Sequence, residues 1–276
     1  MDQRSITHFR VPRDRGELGV VDDSTKFIGG GSHVFGEFNT DLRELVDLTA
    51  LGWVPLAADR EGLTVAATCT LADLANLGDP GWRAHPLFFQ ACSALLGSFK
   101  VWNVATVGGN ICASLPAGPM TSLAVGLDAD LLVWRADGSD EILAARSFVT
   151  GIQENALRQG DVLRSIHFPA SSLAAHTAFR KIALSPLGRS GAVLIGRSES
   201  SGRFVLTVSA ATLRPEQVVF GETPTASQLR TAIDAIDSWF TDAHGAADWR
   251  HAVSAVLAEE IRLELLESLE REDPAL

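Results

Sequence analysis

Three consecutive glycines, Gly29–Gly30–Gly31, follow the β-prone run Ser24–Thr25–Lys26–Phe27–Ile28 and constrain the chain more than any other feature. A backbone without Cβ atoms sustains neither helix nor strand, so the run has to end there in a tight loop. A second glycine turn, Gly108–Gly109–Asn110, follows residues 101–107, which read as extended. Hydrogen-bonding side chains flank both turns: Ser32 and His33 beside the first, Thr106 and Asn110 at the second. Successive amides of this kind curl around a phosphate, and two such loops facing each other would clamp the two anionic groups of a pyrophosphate. Neither turn is a GxGxxG fingerprint, and there is no GxxxxGK[ST] P-loop. A single GGG turn is equally at home at the end of a hairpin.

Around these turns, short strands alternate with short helices. Asp41 is placed to cap a helical turn carrying Leu42, Leu45 and Val46, ahead of a strand at Val46–Asp47–Leu48. Residues 63–68 read as a strand, and residues 70–77 as a helix with Leu71, Leu74 and Leu77 on one face. Pro86 opens another helix, with Leu87, Ala91, Ala94 and Leu95 at helical spacing. A short helix at 122–127, a strand at 130–134 with a hairpin turn at Asp137–Gly138, and an alternating strand at 161–168 follow. Past the boundary at Ser171–Ser172, strand-like runs at 193–197 and 204–211 precede helices at 227–239 and 248–270. Asp248 is the expected N-cap of the last helix, with Trp249, Val253, Val256, Leu263 and Leu266 as its apolar stripe. The fold class is α+β, in units of residues 1–55, 56–171 and 172–276.

The 276 residues suffice for more than one core. A formal charge of −11 argues against nucleic acid as a partner, since phosphate contacts need clustered Lys and Arg. Acidic residues gather late, at Glu259, Glu260, Glu264, Glu267, Glu270, Glu272 and Asp273, and are expected on a solvated helix face. Three widely spaced cysteines, Cys69, Cys92 and Cys112, suit a reducing compartment. With no CxxC pair, the chain cannot supply four thiolates to an iron–sulfur cluster. No secretory leader and no apolar run of about 20 residues is read, so a soluble cytoplasmic protein without a membrane span is expected.

In this order, these residues resemble the medium, FAD-binding subunits of the molybdenum hydroxylases, the xanthine dehydrogenase and carbon monoxide dehydrogenase group. Phe27–Ile28–Gly29–Gly30–Gly31–Ser32 is similar to the first FAD loop, and Leu45–Val46–Asp47–Leu48–Thr49 to the strand after it. Asn103–Val104–Ala105–Thr106–Val107–Gly108–Gly109–Asn110 is similar to the second loop and is the most specific motif. Leu127–Asp128–Ala129–Asp130, residues 148–151, residues 160–169 and Phe179–Arg180–Lys181–Ile182 follow in the family's order. The resemblance implies a two-subdomain PCMH-type FAD-binding fold and a C-terminal domain of antiparallel sheet plus helices. It implies that Ile28, Gly29, Gly30, Gly31, Ser32, His33, Val34, Thr106, Val107, Gly108, Gly109 and Asn110 hold FAD, with Leu163 and Lys181 near its isoalloxazine ring. No catalytic acid–base pair or metal site is implied on this chain. A molybdenum-cofactor large subunit and a 2Fe-2S small subunit are the implied partners, in a dimer of heterotrimers. Electrons would reach FAD from the clusters and leave to NAD, oxygen or another acceptor.

The chain departs from the family in two places. Leu115–Pro116–Ala117–Gly118–Pro119 stands where the family has Ser-Pro-Ala-Ala-Asp, so Pro119 offers no carboxylate to ribityl or ribose hydroxyls. Trp102 stands where an arginine is common. Two other readings stay open: a self-contained flavin oxidase of the vanillyl-alcohol-oxidase type, and a scaffold that has lost FAD. The oxidase would need a substrate-covering domain, for which the roughly one hundred residues after Ser172 are few. His33 reads as a loop side chain bonded to backbone in preference to a flavin link. Cys112 reads as a packing residue, and Trp102 and Trp134 as core or interface anchors. Lys181 either steadies charge on reduced flavin or is an exposed strand-end lysine.

Overall fold

Parallel pairing of His8–Arg10 (β1), Thr25–Ile28 (β2) and Glu44–Asp47 (β3) builds the first layer, in the order β1-β3-β2. This is a computed structural model describing residues 4–37, 39–79 and 81–272; Asp273 and the side chain of Glu272, counted above in the acidic face, lie outside the description. Alternation along central β3 sends Leu45 and Val46 to opposite faces. Leu45 packs with Ile28 and Leu42, whereas Val46 packs with Leu18, Leu48 and Val162 and so carries the layer onto the next one. The expected helical turn at Asp41 does not form. Asn39 Oδ1 accepts the amides of Asp41 (2.9 Å) and Leu42 (3.2 Å), and this side-chain turn feeds the chain directly into β3.

The next strands are Leu56–Asp59 (β4), Gly62–Ala66 (β5), Asp130–Trp134 (β6), Asp140–Ala144 (β7), Val149–Gly151 (β8), Glu154–Asn155 (β9) and Val162–Pro169 (β10). β8 and β9 form a separate hairpin, and the rest form an antiparallel sheet in the order β4-β5-β10-β6-β7. Five helices join β5 to β6: Leu71–Ala75 (α1), His85–Ala94 (α2), Phe99–Trp102 (α3), Val107–Cys112 (α4) and Pro119–Gly126 (α5). Thr70 caps α1 through the Asp73 amide, and α2 buries Leu87, Phe88 and Ala91 with Pro86 in its first turn. Residues 101–107 were expected to be extended, but they run from the end of α3 to the cap of α4. Their β-branched residues suggest a strand, yet only an isolated bridge between Thr70 and Thr106 is sheet-like.

A short helix, Ala170–Leu173 (α6), leads to a meander of His176–Ile182 (β11), Ala192–Ser198 (β12), Phe204–Ser209 (β13) and Glu216–Phe220 (β14). Helices Ala226–Asp234 (α7) and Ala247–Glu272 (α8) pack on it. All eight residues of α5 are buried, because the helix lies between α2 and α4 on one side and the four-stranded sheet on the other. Gly126 permits this approach: a Cβ there would meet Ile195 Cγ2 at 2.8 Å. Buried Arg197 reinforces the join by bonding Ser172 of α6 and Asp128 after α5.

The apolar stripe expected on α8 packs only in part: Val253 lies against the sheet core, but other members turn outward. Val256 and Leu263 are exposed, while Arg250, Ser254, Ala258, Ile261 and Leu265 are buried. A Cβ on Gly196 would lie 2.1 Å from Ile261 Cγ2, so helix and sheet pack too closely for large residues along the whole face. Asp248 lies inside the helix rather than capping it; Thr241 Oγ1 accepts the amide of Ala247, the first helical residue. Two of the acidic residues are not merely solvated, since Arg180 on β11 bonds both Glu260 (2.9 Å) and Glu264 (2.6 Å).

Candidate functional site

A cleft runs between the first layer and the five-stranded unit, in two lobes of about 390 and 440 Å³. Both volumes fall in the range of cofactor pockets. Lys26, Phe27, Gly29, Thr106, Gly109 and Cys112 line both lobes, which makes them one continuous site. Gly30, Gly31, Ser32, His33, Val34 and Asn110 line the first lobe, with apolar walls from Leu95 and Val101. Leu163, Gly108 and Arg158 line the second.

The two glycine loops meet at this cleft but do different things. In the first, the amides of Gly30, Gly31, Ser32 and His33 find no acceptor among the described residues. The carbonyls of Gly31 and His33 accept from Phe35 and Gly36, which folds the loop back as a single turn. Gly31 has φ of +70°, a conformation that disfavours any residue with a Cβ. Four consecutive open amides lining a cleft are a phosphate cradle by chemistry.

The second glycine segment is not the turn expected from the sequence: residues 107–110 form the first turn of α4, and their four amides are already committed. Val107 N donates to Cys69 O (2.9 Å), Gly108 N to Ala67 O (2.9 Å), Gly109 N to Thr106 Oγ1 (3.1 Å) and Asn110 N to Thr106 O (3.0 Å). Thr106 is the N-cap of α4, and Val107 is buried away from both lobes. The expected pair of matched amide clamps is therefore one open loop resting on one closed loop. What the second loop still offers is the Thr106 hydroxyl hydrogen and the Asn110 Nδ2 amide. Asn110 Oδ1 accepts the Met120 amide (3.0 Å) at the start of α5, which orients the side chain.

Gly29 and Gly30 are explained by this contact between loops. A Cβ on Gly30 would sit 1.4 Å from Val104 O and one on Gly29 2.4 Å from Thr106 Oγ1; Gly108 is a separate case, its Cβ meeting Ala67 Cβ at 2.4 Å just past β5. Only glycine lets the open loop rest on the closed one.

Sequence reasoning missed several wall residues. Lys26 lines both lobes; its one signal is a cation in a β-run that enters a glycine turn. Arg158 belongs to a loop shaped by Asp161, whose carboxylate accepts the Arg158 and Ala136 amides (2.8 and 3.0 Å) and pairs with Arg135 (2.5 Å). Burial alone would raise the Asp161 carboxyl, but these donors outweigh it and hold it below the usual range. Asn155 Nδ2 ties Cys112 O and Ser114 Oγ at the end of α4, both at 3.0 Å, and nothing in its sequence context announces this.

Among the expected residues, Leu163 reaches the cleft, whereas Lys181 does not. Its ammonium donates to Ser93 O (3.2 Å) at the end of α2, outside both lobes. Burial pushes the Cys112 thiol up to about 12, which favours the protonated thiol at neutral pH. His33 Nε2 lies 3.6 Å from Glu37 Oε1. Trp134 packs edge-on against Trp53, and Arg164 stacks on both rings (5.6 and 4.2 Å), locking the first layer to the second away from the cleft.

A cleft of this size, with an open amide cradle, apolar walls and a lysine across both lobes, defines a site for a phosphate-bearing aromatic cofactor. Residues 16–171 match the family described as FAD binding domain in molybdopterin dehydrogenase. The chain belongs to that family. It is 24% identical over 159 residues to the xanthine dehydrogenase/oxidase of Gallus gallus, which covers 54% of this chain and 12% of that protein. It is 26% identical over 98 residues to caffeine dehydrogenase subunit beta of Pseudomonas sp. (strain CBB1), covering 36% of this chain and 33% of the subunit. The match thus spans a third or less of either relative. In fold it is similar to a chain of carbon monoxide dehydrogenase from Hydrogenophaga pseudoflava, with a TM-score of 0.84 and 19% identity over 96% of this chain and 98% of that one. No helix among the described residues is long and apolar enough to cross a membrane.

Proposed function

We propose that this chain is the FAD-carrying electron-transfer subunit of a heteromeric molybdenum hydroxylase or dehydrogenase. The observation that carries this reading is the open amide run of Gly30–Gly31–Ser32–His33 in a cleft that also presents the Thr106 hydroxyl and the Asn110 amide. These residues fit FAD. The first loop would hold the pyrophosphate, Thr106 and Asn110 would donate to neighbouring oxygens, and Lys26 would offset phosphate charge. Val107 and Gly108 would act by shaping the loop. Ile28, Gly29, Val34 and Gly109 would line the bound cofactor, and Leu163 would wall the isoalloxazine end. Lys181 would reach the ring only by leaving Ser93. When bound, FAD supplies one- and two-electron chemistry; the chain's own residues bind it, orient it and keep water from it. In this reading residues 1–55 and 56–171 are the two halves of the FAD site, and residues 172–276 form a C-terminal domain.

An electron chain ending here needs metal centres from elsewhere, because among the described residues no three His, Cys, Asp or Glu side chains are gathered to hold an ion. The proposed partners are a 2Fe-2S subunit and a molybdenum-cofactor subunit, in a dimer of heterotrimers in the cytoplasm, with NAD, oxygen or another acceptor taking the electrons.

The test is to purify the chain alone and with its partners. Alone, it should carry one FAD, released intact by acid, and should leave purines, aldehydes and N-heterocycles unchanged. With the partners, organic substrate should bleach the flavin absorbance, and removing the clusters should stop the bleaching with FAD still bound. Flavin reduction by organic substrate in the isolated chain would replace this reading with the oxidase one.

A further inference from the structure

A third cavity, of about 290 Å³, lies where the loop after α4, the loop after β11 and the first turn of α8 meet. Leu115 lines both this cavity and the first lobe of the cleft, so the two are neighbours. Its wall includes Arg250, whose side chain is 1% exposed. Arg250 Nη2 bonds Asp242 Oδ1 at 2.5 Å, and its guanidinium stacks on the Phe240 ring at 3.9 Å. Its Nε and Nη1 are buried and find no hydrogen-bond partner among the described residues.

Buried donors of a charged group are expensive to leave unmade, and native structures satisfy nearly all of them. Arg189 stands on the same cavity, half-buried, with no ion pair among the described residues. Its charge disfavours the charge on Arg250, adding to the effect of burial and opposing Asp242. Two guanidiniums against one carboxylate leave a local excess of one positive charge, in a chain whose formal charge is −11. A small oxyanion in the cavity would screen the two cations from each other, neutralise the excess and bring an acceptor beside the Arg250 guanidinium.

We propose that this cavity is an oxyanion site, taking a phosphate group between Arg189 and Arg250. The group is either free phosphate or the phosphate of a nucleotide reaching in from solution. The inference is independent of the flavin reading, since it uses none of the glycine-loop residues.

The test uses the full chain as purified, titrated with inorganic phosphate at ionic strength held constant with chloride and followed by calorimetry and melting temperature. Saturable binding is expected, weakened on the order of tenfold or more by Arg189→Ala, the loss of one charge-assisted contact. Arg189→Glu should abolish it. Flavin content should stay unchanged in both variants, which separates this site from the cleft. Arg250→Lys should weaken binding too, but the half-buried Arg189 variants decide the matter if that protein fails to fold. NAD competing with phosphate in an Arg189-dependent manner would identify a nucleotide as the source; phosphate binding without competition would identify the free ion. Phosphate stabilising no more than chloride, or binding unchanged in both Arg189 variants, overturns the proposal.

Discussion

At the scale of single residues, the absent Cβ of Gly30 is the most demanding feature of the cleft. Gly30→Ala puts a methyl 1.4 Å from the Val104 carbonyl oxygen, so the first loop has to lift off the second. Overpacking of this kind costs about 1–3 kcal/mol, and the open amides move with the loop. The variant should melt lower and purify with less flavin than Gly36→Ala, whose Cβ meets nothing within 4 Å. Equal flavin content in the two would sink this account. Cys112 supports the opposite expectation, of inertness. Its thiol is pushed up to about 12 by burial although it lines the cleft. Iodoacetamide at pH 7.5 should label it no faster than buried Cys69 and Cys92, as read by peptide mass spectrometry. Preferential labelling of Cys112 would overturn this expectation.

At the scale of elements, α4 is a six-residue helix held in place by its cap and by sheet-edge carbonyls. Thr106 Oγ1 accepts the Gly109 amide, and Ala67 and Cys69 accept the two amides before it. Thr106→Val removes the cap acceptor and the hydroxyl facing the cleft while keeping the volume. It should cost about 1 kcal/mol in the apo chain, with a further loss visible as weaker FAD retention. Thr106→Ser keeps the hydroxyl and should recover most of both. If Val and Ser variants retain flavin equally, Thr106 serves the helix alone. The same logic explains how α5 is buried on every side: its neighbours are α2, α4 and the four-stranded sheet, and the Ser122–Ser209 hydroxyl pair (2.6 Å) satisfies Ser122 against β13.

At the scale of the whole molecule, two ion pairs of buried arginines, one of them joining the four-stranded sheet to the unit before it, set the response to acid. Burial would raise Asp128, but the Arg197 charge and hydrogen bonds from Arg197, Gln217 and Arg203 hold its carboxyl low; Asp161 is held low likewise. A carboxyl depressed in the folded state contributes stability that is present above its unfolded value. That contribution is lost as pH falls through the folded value, so the loss belongs below the ordinary 3.8. Stability should therefore hold from neutrality to about pH 4 as far as these two groups decide it, then fall steeply. Asp128→Asn should cost about 1.5–3 kcal/mol at pH 7, because it removes a charged hydrogen-bond partner of fully buried Arg197 and leaves Glu199 to compensate it. Its curve of stability against pH, from urea unfolding, should also be shallower below pH 4. An unchanged acid slope would show that these pairs do not govern the transition.

The sequence by itself determined what depends on local chemistry: where the chain turns, where Thr70 caps α1 and Pro86 opens α2, where the β6–β7 hairpin bends, and which motifs recur in family order. Glycine and proline act through their own backbone, so no distant partner is needed to read them. What a glycine makes room for is a different matter. Gly30 and Gly108 were read from the sequence as phosphate-loop residues, yet the atoms that exclude their Cβ belong to Val104 and Ala67. Only the tertiary structure decided that one loop keeps its amides open while the other gives its own to Cys69, Ala67 and Thr106. It also decided that α8 buries Arg250 and Ser254 instead of Val256, and that Lys181 bonds Ser93 rather than lining the cleft. In each case hydrogen-bond acceptors and packing partners lie far along the chain, and nothing local in the sequence encodes which distant group arrives.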